Sequence, residues 1–252
     1  GVVCLVKIGI IGGSGLDDPK ILKDSKEVEI KTPYGDPTSV LTEGTINNVN
    51  VFLIARHGKQ HQHSPTSVNY RANIWALKEV GCTHIIATTA VGSLRKEIDR
   101  GHLVIMDQFI DFTRHRKVTF HDTFEKGAIH TPMANPFSED LRNLLVSGCK
   151  SLNLDHHEKG TVITIEGPRF STKAESRMFR AWGADIINMS IAPECILANE
   201  IGIPYAAVAM STDYDCWKED EKPVTWDAIL EIFKANVGKV TKLLFEVIPK
   251  VK

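Results

Sequence analysis

Residues 5–15 read Leu5-Val6-Lys7-Ile8-Gly9-Ile10-Ile11-Gly12-Gly13-Ser14-Gly15. A β-branched apolar run that ends in glycines predicts a buried strand over 5–11 passing directly into a tight turn. The pattern recurs along the chain and predicts further strands over 50–55, 84–88, 103–107, 161–165, 184–188 and 204–210. Helix signals sit between several of them. Segment 68–80 follows Ser67, keeps Val68, Ala72, Trp75 and Ala76 on one face, and stops at Gly81. Segment 139–150 follows Ser138 with Glu139 and Asp140 in its first turn. Segment 173–182 opens on Thr172 and Glu175 at capping-box spacing and ends at Gly183. Segment 193–201 places Pro193 first and Gly202 just past its end. A ladder from Trp226 through Ile229, Leu230, Phe233, Val237, Val240 and Leu244 predicts a terminal helix. Strands alternating with helices imply an α/β sheet covered on both faces. No repeat, low-complexity tract or linker divides the sequence, so residues 1–252 are expected to form a single domain.

Composition excludes several classes. With 30 Lys+Arg against 31 Asp+Glu in 252 residues, no large basic surface is available for nucleic acid or an acidic membrane. A 42% hydrophobic and 24% charged content fits a globular chain and not a disordered one. Five cysteines (Cys4, Cys82, Cys149, Cys195 and Cys216) are widely spaced and never form C-x-x-C, which fits neither a disulfide framework nor a thiolate zinc site. The longest apolar stretch, Val2 to Ile11, contains Lys7 and is too short to span a bilayer. No small-residue cleavage site follows it, and Leu5 stands where a myristoylation signal needs Ser or Thr. The expected location is cytoplasmic, with the nucleus a second possibility, and no metal or organic cofactor is expected.

The residues just past each strand carry the chemistry. In open α/β sheets, ligands bind beyond the carboxyl ends of strands. Those ends supply Gly12-Gly13-Ser14-Gly15, Arg56-His57, Thr89-Ala90, Met189-Ser190 and Ser211-Thr212-Asp213-Tyr214-Asp215. Glycine amides, hydroxyls and an arginine suit an oxyanion, and paired carboxylates suit a donor-rich or protonatable group. The expected site is therefore bipolar. Each piece has a plainer reading. The glycine turn satisfies neither the dinucleotide pattern, since Asp18 stands at the last glycine position, nor Walker A, nor the nucleophile elbow. On this segment alone an ordinary turn reads as well as an anion cradle. Arg56-His57 competes with a surface pair, and Asp213 with a helix cap. His57, His61 and His63 lie in a Gly/Gln/Pro loop without a carboxylate and read as solvent or supporting histidines, not metal ligands. Phe170, after Glu166-Gly167-Pro168-Arg169, fits equally a stacking surface or the core.

Taken together, these motifs resemble the trimeric purine nucleoside phosphorylase family, at its methylthioadenosine-cleaving branch. The resemblance runs from Ile8–Gly15 through Ala55-Arg56-His57-Gly58, Asn69–Lys78, Thr88–Leu94, Thr164–Ser171 and Ala181–Asp185 to Asp213–Lys218. It implies a mixed twisted sheet flanked by helices and phosphorolysis of a purine N-glycosidic bond. The expected products are adenine and 5-methylthioribose 1-phosphate, in purine and methionine salvage. Inorganic phosphate is then a co-substrate, not a cofactor. The resemblance places phosphate on Ser14, Arg56, His57, Thr89, Ala90 and Ser190. It places the nucleoside on Phe170, Ser171, Met189, Tyr214 and Trp226, with Asp213 and Asp215 reading the purine and carrying the acid role. It also implies a homotrimer in which His130 reaches a neighbouring subunit's site. Asp213 and Ser171 are the adenine-type choices where inosine- and guanosine-cleaving relatives carry Asn and Glu. Ile191 stands where the branch has a second threonine, Trp226 where it has valine, and the branch's C-terminal helix runs past the position of Lys252. Two other readings compete: adenosine or inosine as substrate, and an inactive nucleotide-binding relative, against which the intact Arg56, Asp213 and Asp215 argue.

Overall fold

The computed structural model describes residues 5–13 and 16–252. Its sheet grows outward from two neighbouring strands, β1 (Lys7–Gly12) and β5 (His84–Ser93), which run parallel. On the far side of β1 lies β4 (Val49–Ala55), parallel to it, followed by β3 (Leu41–Ile46) and the edge strand β2 (Lys23–Val28), both antiparallel to their neighbours. Beyond β5 come β10 (Ile186–Asn188), β9 (Thr161–Ile165) and β7 (Gln108–Phe112). A branch also leaves β5 through β11 (Tyr205–Asp213) to β6 (Leu103–Ile105) and the two-residue β8 (His156–His157). Parallel and antiparallel pairs make the sheet mixed, as the family resemblance implied.

Side-chain alternation explains why the central strands read as unbroken apolar runs. Ile8 and Ile10 face one layer, and Ile11 faces the other. The same split recurs in β4, with Val51 and Leu53 against Phe52 and Ile54, and in β11, with Ala206, Val208 and Met210 against Tyr205, Ala207 and Ala209. One layer holds α1 (Tyr70–Glu79) and α4 (Ile191–Glu200); the other holds α2 (Glu139–Ser151) and α5 (Trp226–Val247). A smaller cluster joins α3 (Lys173–Ala181), through Phe179, to Ile163, Ile165 and Ile187. In α5, Phe233, Val240, Leu243, Leu244 and Val247 are buried. At about 1.5–3 kcal/mol per buried side chain, that packing outweighs the tenths of a kcal/mol from intrinsic helix propensity.

Several boundaries differ from the sequence reading. Helix α1 begins at Tyr70 with Asn69 as its N-cap, not after Ser67, because the Asn69 side chain accepts from the amide of Ala72. Helix α4 begins at Ile191, which puts Pro193 at its third position instead of its first. Strand β5 runs on to Ser93 because β11 continues to pair with it, so Thr89 and Ala90 sit inside the strand and not after it. Strands β2, β3, β7 and β8 carry no strong apolar signal: β2 reads Lys23-Asp24-Ser25-Lys26-Glu27-Val28 and is mostly exposed. A charged edge strand resists pairing with another chain, and its pattern resembles a loop. The capping box of Thr172 and Glu175 is present in full.

Candidate functional site

The register of β5 opens the site. Its residues 84–87 pair with β1, and Gly92 and Ser93 pair with β10. Strand β11 pairs with residues 85–92 and overlaps both partners, so it must hold the opposite edge. Between Ala87 and Gly92, then, one edge of β5 has no strand beside it. A cavity of about 530 Å³ lies there, lined by Thr89, Ala90, Val91 and Gly92 and by the ends of the surrounding strands. A split between neighbouring strands is where open α/β sheets bind ligands.

One end of the cavity suits an anion. Gly13, Arg56, Thr89, Ala90 and Ser190 line it. The amide of Gly13 donates to the hydroxyl of Thr88 at 3.2 Å, and the Arg56 Nη1 donates to the Thr88 carbonyl at 2.8 Å. Ser190 is the N-cap of α4, yet its hydroxyl makes no capping bond. The hydroxyl and the positive end of the helix are thus both available to a negative ligand. Arg56 is only 1% exposed. Its Nε and Nη2 form a two-pronged ion pair with Glu194 of α4, whose second oxygen also accepts from the Tyr205 hydroxyl at 2.8 Å. Burial works against the Arg56 charge, but Glu194 outweighs it and raises its pKa. Among the described residues, three of the five guanidinium N–H groups find protein acceptors and two do not.

The other end carries acids. A bulge between Ser211 and Asp213 ends the regular pairing of β11, and Asp215 follows in the left-handed region at φ +50°. Both carboxylates line the cavity together with Phe170 and Ser171. Asp213 accepts from the Thr212 hydroxyl at 2.7 Å and from the Asp215 amide at 2.9 Å. Burial nonetheless raises the pKa of Asp213, with Asp215 adding repulsion. Burial also raises Asp215, against the smaller opposing effect of the hydroxyls of Ser176 and Ser171. Asp215 Oδ2 and the Ser171 hydroxyl are buried with no partner in hydrogen-bonding geometry among the described residues. A carboxyl that favours its proton, beside unpartnered oxygens, can both donate to a ring nitrogen and accept from an exocyclic amine.

A third stretch of wall is aromatic. His57, His61, His63, Trp226 and Ile229 line it, and His61 lies 4.6 Å from the His57 ring and 5.4 Å from Trp226 between centroids. His57 Nδ1 bonds the His63 carbonyl at 3.0 Å, so it carries the hydrogen and Nε2 is the acceptor. Burial, with Arg56 next, lowers the His57 pKa to about 3, which keeps the ring neutral at physiological pH.

A profile of the Phosphorylase superfamily matches residues 7–249. The S-methyl-5′-thioadenosine phosphorylase of Xenopus tropicalis is 56% identical over 99% of this chain and 90% of that protein. The chain belongs to the S-methyl-5′-thioadenosine phosphorylase family. The Danio rerio member is 54% identical over 98% of this chain and 89% of its own length. Among solved structures, methylthioadenosine phosphorylase from Schistosoma mansoni in complex with adenine matches with a TM-score of 0.93 and 41% identity, covering 97% of this chain and 91% of that one. A point-mutated form of the adenosine/methylthioadenosine phosphorylase from that organism, in complex with methylthioadenosine, matches at TM-score 0.91 and 42% identity over the same shares.

Within this family member, the fold gathers most of the residues singled out from sequence. Arg56, His57, Thr89, Ala90, Phe170, Ser171, Met189, Ser190, Asp213, Asp215 and Trp226 all line one cavity. Ser14 lies outside the described residues. Tyr214 does not line the cavity: its hydroxyl donates to Asp99 at 2.7 Å, and Arg100 and Lys218 lie over its ring. The bulge and turn that bring Asp213 and Asp215 to the same cavity direct the residue between them the other way. His130 is also elsewhere, in a groove with Phe124, Ile129, Met133 and Ile196. Arg56 is no surface pair, and neither Asp213 nor Asp215 caps a helix. Phe170, 39% exposed, is a wall of the cavity and not core. His57, which the resemblance places on phosphate, lines the cavity, and so do His61 and His63, whose pattern reads as solvent or supporting groups. Glu194 and Asn188 were not anticipated. Asn188 lines the cavity and ties Thr164 to Thr89 through bonds of 2.9 and 3.3 Å. Among the described residues no cluster of three or more His, Cys, Asp or Glu could hold a metal ion, and no helix is long and apolar enough to cross a membrane.

Proposed function

We propose that this chain cleaves 5′-methylthioadenosine with inorganic phosphate, releasing adenine and 5-methylthioribose 1-phosphate as a step of purine and methionine salvage. The observation that carries the reading is the single cavity that joins an arginine-and-hydroxyl end to a buried, proton-favouring carboxyl end. Glycosidic cleavage builds positive charge on the sugar and negative charge on the purine. A phosphate dianion held by Arg56, Thr89, Ala90 and Ser190, with Ser14, faces the first; a proton from Asp213 to N7 neutralises the second. Neutral His57, with Nε2 as acceptor, suits the hydroxyl of monohydrogen phosphate. Asp213 then accepts from the exocyclic amine, Asp215 and Ser171 complete the purine end, Phe170 stacks on the base and Met189 backs the ribose. Trp226, beside His61 and Ile229, is left to the 5′ substituent.

Phosphate is the nucleophile in this reading. Adenine release from methylthioadenosine is expected to require phosphate and to follow its concentration to saturation, as read by the absorbance change on cleavage. Equal turnover in phosphate-free buffer would make the enzyme a hydrolase and sink the assignment. Adenosine and inosine in the same assay rank the competing substrates, and absence of any turnover favours a binding protein.

A homotrimer is part of the same reading. It is supported by the half-exposed Phe124 and Ile129 beside His130, apolar side chains outside the cavity that a neighbouring subunit would cover. Active enzyme is expected to sediment as a trimer. A fully active monomer rejects this part alone.

A further inference from the structure

Arg116 has no part in the proposed chemistry, and it does not line the cavity. Its side chain is nevertheless completely buried. All five N–H groups of its guanidinium have acceptors. Nε donates to the Glu166 carboxylate at 2.7 Å. Nη1 donates to the Tyr70 hydroxyl at 2.8 Å and the Met189 carbonyl at 2.9 Å. Nη2 donates to the Glu166 carbonyl at 2.6 Å and, more weakly, to the Ile165 carbonyl at 3.5 Å. We infer that Arg116 is a positioning residue for the nucleoside: it clamps three separate chain segments into one wall of the cavity.

Each segment it holds contributes to that wall. Met189 and Ile165 line the cavity themselves. Tyr70 passes the restraint on, since its hydroxyl accepts from Arg116 and donates to the carbonyl of Pro65 at 2.8 Å, another lining residue. Glu166 anchors the clamp from behind. Its carboxylate also accepts from the amides of Arg114 and His115 at 2.6 and 2.9 Å and from the Thr66 hydroxyl. The Met189 side chain packs closely over Gly167, where a Cβ would stand 2.4 Å from its sulfur. A planar fork with five fixed donors can satisfy such a set of acceptors at once, whereas a lysine ammonium has three donors radiating from one point. The anion end is held chiefly by a different pair, Arg56 with Glu194, so loss of the clamp should act on the nucleoside more strongly than on phosphate.

The inference rests on the proposed phosphorolysis, and the test separates the two. In the intact chain of 252 residues, Arg116→Lys is expected to keep a cooperative thermal transition and lower kcat/KM for methylthioadenosine by about 10–100-fold, the scale of a sub-ångström to 1 Å misplacement. KM for phosphate should change less than the nucleoside kinetics, since Arg116 bonds the Met189 carbonyl beside Ser190 but none of the side chains assigned to phosphate. Arg142→Lys is the control. Arg142 is likewise buried and bonded to the Met106 and Glu158 carbonyls, but away from the cavity, so its loss should lower Tm and leave both KM values unchanged. Tyr70→Phe removes one arm of the clamp without disturbing the ion pair, and should give a smaller loss in the same direction. Unchanged nucleoside kinetics in either Arg116→Lys or Tyr70→Phe overturns the inference. So does a loss that falls equally on phosphate and nucleoside or tracks the folded fraction. If Arg116→Lys does not fold, Tyr70→Phe alone decides. Wild-type protein that does not cleave methylthioadenosine rejects the proposed function instead.

Discussion

Replacing Asp213 by Asn is expected to lower kcat/KM for methylthioadenosine by about 10²–10⁴-fold, the range for losing a general acid. The amide keeps the shape of the side chain but has one acceptor oxygen where Asp213 accepts at both, from the Thr212 hydroxyl and the Asp215 amide, and it has no proton to give to N7. It also presents a donor where the exocyclic amine of adenine needs an acceptor. A 6-oxopurine offers an acceptor there, so the ratio of inosine to adenosine cleavage should rise. Adding Ser171→Glu supplies an acceptor for N1–H of a 6-oxopurine and should move the ratio further. The pH profile gives a second reading. Burial raises the Asp213 pKa, so the acid form persists to higher pH than in an ordinary aspartate, and activity falls as pH rises through that pKa. The Asn variant should lack that alkaline limb. Unchanged activity and an unchanged inosine ratio would mean that the purine is read elsewhere.

The largest stability effect is expected at Glu194. Glu194→Ala leaves the Arg56 cation buried at 1% exposure with, among the described residues, only the Thr88 carbonyl as a partner. Breaking a buried pair from one side typically destabilises by about 3–5 kcal/mol, because desolvation of the surviving charge is no longer compensated. Urea denaturation should show that loss, and the Tyr205 hydroxyl loses its acceptor as well. Removing both charges behaves differently. Arg56→Met with Glu194→Leu leaves no orphaned ion and should recover much of the stability, though not the activity. Phosphate should also stabilise Glu194→Ala more than wild type, because the anion then supplies the missing countercharge. A Glu194→Ala protein as stable as wild type would show that Arg56 is held by something other than this pair.

The class of fold and the ends of the site are legible in local sequence patterns. Runs such as Ile8–Ile11 and Tyr205–Met210 are apolar at every position because helices cover both faces of the sheet, and that signal is local. A glycine turn, an Arg-His pair and two acids directly after such runs mark strand ends, where α/β sheets bind ligands. Edge strands escaped notice for the opposite reason: β2 is exposed on both faces and carries charges. What lies between the ends depends on contacts between segments far apart in the chain. Glu194 is 138 residues from Arg56 and sits in a mostly apolar helix, where no local pattern distinguishes a buried partner from an isolated acid. Arg116 likewise takes its acceptors from α1, from the end of β9 and from the turn into α4, which only the folded sheet brings together. The direction of Tyr214 was settled by one bulged residue and one left-handed residue in the turn that carries the acids. Side-chain direction at a strand end depends on backbone register, and register is set by pairing with a distant strand, not by the residues that the turn contains.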